Sequence, residues 1–217
     1  PDTRGVIDTF LQGINEGRDW IFLKGNHDRL FEWFLRDGET KDPNIKSGIL
    51  WLNERMGGEK TLGAYMDLPC FLNEKGGGVQ TLTSYGLEPM PSDLLKDTIA
   101  AANAAVPQEH KDFIANLPLS HMENGIFFCH AGIRPGVPFK EQVEDDLIWI
   151  RDGWLDNKDD HGALVVHGHT LLDYPKHYGN RVNLDGGTAW GAPLYPAVFE
   201  DGKSWLLTDT GREPLEP

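Results

Sequence analysis

Ala163-Leu164-Val165-Val166-His167-Gly168-His169-Thr170 is a short apolar run that ends in imidazole and glycine. Four consecutive aliphatic residues, two of them β-branched, read as a strand buried on both faces. Such a strand needs helices or a second sheet on either side. The same pattern stands upstream, where Ile126-Phe127-Phe128-Cys129 ends in His130 and Trp20-Ile21-Phe22-Leu23 leads through Lys24-Gly25 to Asn26-His27. Further short apolar runs cover residues 182–184, 197–199 and 205–207.

Helical spacing fills the gaps between these runs. Val6, Ile7, Phe10, Leu11 and Ile14 recur on one face of a helix over residues 1–17, with Pro1 in its first turn and Gly17 as its stop. Helices are also expected over residues 28–35, 45–56, 92–105, capped by Ser92, and 108–117. Strands interleaved with helices predict a layered α/β protein. The stretch over residues 37–120 reads as a helical or irregular cap-like insertion within one domain covering residues 1–217. It contains a near repeat, Gly57-Gly58-Glu59-Lys60-Thr61-Leu62 with Tyr65 and Gly77-Gly78-Val79-Gln80-Thr81-Leu82 with Tyr85. Two copies are too few for a stacked solenoid.

The bulk numbers remove several functions. Lys and Arg total 20 against 34 Asp and Glu, and a net charge of −14 speaks against a phosphate-backbone binder. Nucleic acid is therefore not an expected partner. No apolar run approaches the roughly 20 residues that a membrane-spanning helix needs, so no membrane partner is expected either. Two widely spaced cysteines, Cys70 and Cys129, suggest neither a disulfide framework nor a cysteine metal site, which makes a cytoplasmic location the default. The chain opens on Pro1-Asp2-Thr3-Arg4 without an initiator Met, and the expectation is a truncated or processed polypeptide.

Three of the apolar runs end in side chains that can hold a metal. Ligand sites of α/β sheets gather beyond the carboxyl ends of strands, so Asn26, His130 and His169 can converge although 104 and then 39 residues separate them. Imidazole nitrogens and an amide oxygen suit Mn, Fe or Zn. An acidic protein with such ions could still handle phosphorylated substrates.

Gly25-Asn26-His27-Asp28, Cys129-His130-Ala131-Gly132-Ile133-Arg134-Pro135-Gly136 and Gly168-His169-Thr170 resemble, in order, motifs of the calcineurin-like metallophosphoesterases. Leu147-Ile148-Trp149-Ile150-Arg151 and Asn183-Leu184-Asp185-Gly186-Gly187 resemble the phosphoprotein phosphatase branch, in particular its bacterial serine/threonine phosphatase-like members. The resemblance implies two mixed β-sheets flanked by helices and a site with two divalent metal ions, Mn foremost with Fe or Zn as alternatives. It assigns Asn26, His130 and His169 to the second metal, His27 to protonation of the leaving oxygen, and Arg151 to the phosphate. The implied reaction is attack of a metal-activated water on a phosphate monoester, in a phosphorylated protein or a small phosphoester. A diadenosine tetraphosphate hydrolase has similar motifs, and a scaffold that keeps the fold without the chemistry is the rival from another class.

Other residues carry a plainer reading. Arg134 is at least as well placed for a salt bridge as for the cleft, and Asp28 suits the first turn of a helix without touching metal. His167 precedes the motif glycine and reads as structural, and Leu171 stands where some branches place a further metal-binding His. His110, His121, His161 and His177 lie in polar or loop-like contexts, and Cys129 reads as core. The motifs that this family places before Gly25, an Asp-x-His and a Gly-Asp-x-x-Asp-Arg-Gly with the bridging Asp, do not occur here. The expectation is therefore a sheet short of its first strand or strands, apolar surface left open, poor solubility, and little or no turnover by this polypeptide alone.

Overall fold

The computed structural model describes residues 2–39, 42–44, 78–88 and 95–217. The chain divides into two compact units, one of Pro1–Phe22 with His27–Leu117 and the other of Leu23–Asn26 with Pro118–Pro217.

The first unit is helical. Helix α1 spans Thr3–Asn15, and its cap is Asp2, whose carboxylate accepts the Gly5 amide at 2.9 Å. Gly17, at φ +75°, supplies the left-handed turn that ends it. The helix packs closely at Gly13, where an added Cβ would stand 2.1 Å from the Trp20 ring. Helices α2 (Asn26–Asp37), α3 (Gly78–Ser84), α4 (Leu95–Ala105) and α5 (Gln108–Ala115) complete the unit. The Asn103 amide donates to the Leu35 carbonyl at 2.7 Å and ties α4 to α2. A buried pair, Arg29 with Asp42 at 2.6 Å, fixes the chain beyond α2. Aromatic contacts do similar work, with Phe10 stacked on Phe22 at 4.3 Å and Phe113 edge-on to Phe22 at 5.6 Å.

The run over residues 20–23 is not a strand. Trp20 and Ile21 are exposed, and the segment takes no place in a hydrogen-bonded ladder. Its aromatic residues are used for side-chain packing against α1 and α5, which an apolar run can satisfy without sheet pairing. The helix expected over residues 45–56, the Ser92 cap and the first copy of the near repeat lie outside the described residues. The second copy forms α3 and ends in buried Tyr85.

The second unit is a two-sheet layer structure. Strands β1 (Ser120–Glu123), β2 (Ile126–Cys129), β3 (Leu164–His167), β4 (Lys176–His177) and β5 (Arg181–Asn183) form a five-stranded sheet in the order β1-β2-β3-β5-β4. The central pairs β2–β3 and β3–β5 are parallel and the edge pairs antiparallel, so this sheet is mixed. Strands β6 (Ala197–Glu200), β7 (Lys203–Thr208) and β8 (Gly211–Pro214) form an antiparallel sheet.

Alternation along the strands builds two cores. Phe127, Cys129 and Val165 point to one face, where they meet Ile133, Leu147 and Ile148 around helix α6 (Glu144–Trp149), and Trp154 beyond it. Ile126, Phe128, Leu164 and Val166 point to the other, where they meet Leu206, Phe199 and Ala197 of the three-stranded sheet. The fold is α/β, with two sheets and flanking helices. No helix among the described residues is long and apolar enough to cross a membrane.

Candidate metal centre

Parallel pairing of β2 with β3 sets their carboxyl ends side by side. Phe128 stands opposite Val166, and past the strand ends the Gly168 amide donates to the His130 carbonyl at 2.8 Å. His130 and His169 thus leave neighbouring strand ends. Asn26 arrives from the short segment Leu23–Asn26, which the Lys24 amide joins to the Pro118 carbonyl at 2.9 Å, just ahead of β1.

The three side chains converge. His130 Nε2 lies 2.8 Å from Asn26 Oδ1 and 3.2 Å from His169 Nδ1. Asn26 is buried, and the two imidazoles are half-buried. When His130 carries its proton on Nε2, that N–H faces two acceptor lone pairs. The same arrangement suits a cation in place of the proton. Donors about 2.1 Å from a divalent ion, at right angles to one another, stand about 3 Å apart. An ion here would require His130 to move its proton to Nδ1. The set is neutral, two nitrogens and one oxygen. No group of three or more His, Cys, Asp or Glu among the described residues is arranged to hold a metal. Asn26 is what makes this set more than a pair of histidines.

The local backbone is bent to present His169. It sits at φ +64°, a left-handed conformation that a non-glycine side chain adopts at a cost of about 1–2 kcal/mol. Asn183, buried at the end of β5, donates to the Thr170 carbonyl at 2.7 Å and holds the turn that follows. The Trp149 ring stands edge-on to His169 at 5.6 Å.

Arg151 joins this group. Its Nη2 donates to the His169 carbonyl at 3.2 Å, the sole hydrogen bond of its guanidinium among the described residues. Burial lowers its pKa, while Asp152 and Asp185 oppose that shift. Asp185 lies beside the same glycine, its Cβ 3.6 Å from where a Gly168 Cβ would be. One carboxylate oxygen accepts the Gly187 amide at 3.0 Å. Asp185 was not singled out from sequence. The available signal was its position just past a third strand, within Asn183-Leu184-Asp185-Gly186-Gly187.

The structure brings together Asn26, His130, His169 and Arg151. His27 follows Asn26 in the first turn of α2, with an exposed side chain, and belongs to the other compact unit. Asp28 also lies in that first turn.

Arg134 is paired elsewhere. It makes two parallel bonds to Asp146, Nε to Oδ2 at 2.8 Å and Nη2 to Oδ1 at 2.7 Å, and the pairing raises its pKa. His167 ends β3, two residues ahead of His169. It is buried against Trp154, with its Nδ1 3.0 Å from the Gly168 carbonyl, and burial lowers its pKa to about 4, so the ring is neutral. Cys129 is core, its thiol pushed up by burial; Cys70 lies outside the described residues. His121, His161 and His177 sit on loops or edges near Glu123, Asn180 and Gly179.

His110 corrects its sequence reading. It is fully buried in α5 rather than in a polar or loop-like context. Its Nε2 lies 2.9 Å from Asp8 Oδ1 and its Nδ1 2.9 Å from the Tyr85 hydroxyl, a chain linking α1, α5 and the end of α3. Pairing both ring nitrogens makes burial of a histidine tolerable.

No family model matches the chain, and no curated protein does. Among solved structures, similarity is found to the crystal structure of a candidate diadenosine tetraphosphatase, with 21% identity and a TM-score of 0.42. The likeness covers 51% of this chain and 60% of that one, so the chain spans less than two thirds of the structure it resembles.

Proposed function

We propose that this chain carries a metal-binding half-site of a phosphoesterase, acting on phosphate monoesters and, by the motif resemblance, on phosphoserine or phosphothreonine. The observation that supports this most is the approach of His130 Nε2 to both Asn26 Oδ1 and His169 Nδ1, at 2.8 and 3.2 Å, beyond the carboxyl ends of parallel strands. Asn26, His130 and His169 would hold one divalent ion, with Mn, Fe or Zn compatible with the donors. When bound, such an ion supplies positive charge to phosphate oxygens and acidity to a coordinated water.

The chain's own residues have distinct tasks. Arg151, anchored by one hydrogen bond, keeps donors available for a phosphate oxygen and can offer two at once. By the motif resemblance alone, His27 would be the donor of the proton that the leaving oxygen needs. Asn183 holds the turn on which His169 is presented. The full dinuclear site of the family is not available from this set, which provides three neutral donors.

Equilibrium dialysis with Mn(II) or Zn(II) tests the reading. The expected result is about one ion bound per chain, lost in His130→Ala and in His169→Ala. Equal uptake by the variants would refute it. In an assay with Mn(II), turnover of a phosphopeptide that survives loss of His130 would refute the catalytic part separately.

A further inference from the structure

His169 stands at the centre of a γ-turn. The Thr170 amide donates back to the Gly168 carbonyl at 2.7 Å, and His169 between them has φ +64°. A γ-turn whose central residue has positive φ is the rare and strained kind, so bonds from outside have to hold it. The Thr170 side chain gives no help, because its hydroxyl is buried without a hydrogen-bond partner among the described residues.

Two side chains supply the outside bonds, one to each of the turn's later carbonyls. Arg151 donates to the His169 carbonyl at 3.2 Å and Asn183 to the Thr170 carbonyl at 2.7 Å. They differ in permanence. Arg151 is exposed and, as the proposed phosphate contact, has a ligand that competes for its donors. Asn183 is 2% exposed at the end of β5, where neither solvent nor ligand competes.

Asn183 also needs both ends of its amide. Its Nδ2 faces a carbonyl, which has no proton to give, and its Oδ1 accepts the Asp185 amide at 2.9 Å, which has no lone pair to offer. The Leu172 amide donates in turn to the Asp185 carbonyl at 2.9 Å, so the segments on either side of the tie are themselves joined. Loss of the tie frees φ of His169 to leave the strained region, and a change of φ swings Cβ and the ring with it. His169 Nδ1, 3.2 Å from His130 Nε2, would then no longer face the same point.

We propose that Asn183 is a positioning residue of the metal centre, holding the γ-turn that aims His169 at His130. This rests on the metal-binding reading above. Zn(II) affinity, read by competition with a chromophoric chelator, tests it in the wild type, in Asn183→Leu, which keeps the side-chain shape without polar atoms, and in Val182→Ala, which opens a cavity on the same strand. Asn183→Leu should bind Zn(II) at least about tenfold more weakly, and Val182→Ala as the wild type does. In imidazole nitrogen NMR spectra, Zn(II) at a concentration that fills the variant's site should shift His130 and leave His169 unshifted. Equal affinity in Asn183→Leu and wild type, an equal loss in Val182→Ala, or a shifted His169 in Asn183→Leu overturns the positioning role alone. The wild type gives a check that needs no folded variant: by reciprocity, Zn(II) should slow hydrogen exchange at the Asn183 side-chain amide, and unchanged exchange overturns the role. Absence of Zn(II) binding by the wild type overturns the metal-site reading and this role with it.

Discussion

His169 combines two properties that rarely coincide in one side chain: a left-handed backbone and a ring nitrogen aimed at another imidazole. Backbone strain of this kind persists where the surroundings over-determine it, and here Asn183 and the β2–β3 neighbourhood do so. His169→Gly separates the two properties. Urea denaturation should show stability unchanged or raised by up to about 1 kcal/mol, because glycine removes the Cβ penalty, while Mn(II) affinity falls at least about tenfold through loss of a ligand. A loss of several kcal/mol would mean that the ring is held for packing. Cys129 shows the opposite situation, a group placed for burial alone. Its raised pKa and buried Sγ predict no alkylation by iodoacetamide in the native chain and full alkylation in urea, mapped by peptide mass spectrometry. The buried Arg29–Asp42 pair gives a further residue-level test. Asp42→Ala leaves a guanidinium without its carboxylate and should destabilise the chain by about 3 kcal/mol.

Helices α1 and α5 share a polar chain running from Asp8 through His110 to Tyr85. Tyr85 is pushed up to about 12, first by burial and then by the Asp8 carboxylate. Its folded pKa exceeds the unfolded value near 10, so its contribution is complete below pH 10 and is lost as pH rises towards 12. The wild type should lose about 2 kcal/mol more stability over that window than Tyr85→Phe does. Parallel slopes would contradict the buried linkage. Much at this scale was legible in sequence. The runs over residues 126–129, 163–166, 182–184, 197–199 and 205–207 each fall on a strand within a residue or two, because a strand buried between layers is apolar throughout. The run over residues 20–23 misled for the same reason. Apolarity signals burial against something, and Phe22 found aromatic rings on α1 and α5 rather than a neighbouring strand. His110 reads as polar or loop-like in sequence because its partners lie 102 and 25 residues away, a distance that no local pattern encodes. Asn26, His130 and His169 were legible because each follows a short apolar run and matches a motif. The placement of Asp185 beside Gly168 was not, since the two lie 17 residues apart and no local pattern joins them.

Across the molecule, negative charge is abundant and the candidate site has none among its three donors. A neutral ligand set leaves a bound cation's charge uncompensated, which favours an anion as the next ligand. The proposed metal site and the proposed phosphate contact at Arg151 should therefore be coupled, each strengthening the other by the same factor. X-ray absorption spectroscopy on the chain loaded with one equivalent of Zn(II) tests whether Asn26, His130 and His169 hold an ion, because it reads the atoms around that ion. Two imidazole nitrogens and at least one oxygen are expected at about 2.0–2.2 Å, with the imidazole scattering reduced in His130→Ala. A spectrum of oxygen ligands alone, or one that His130→Ala leaves unchanged, would contradict binding by these three residues.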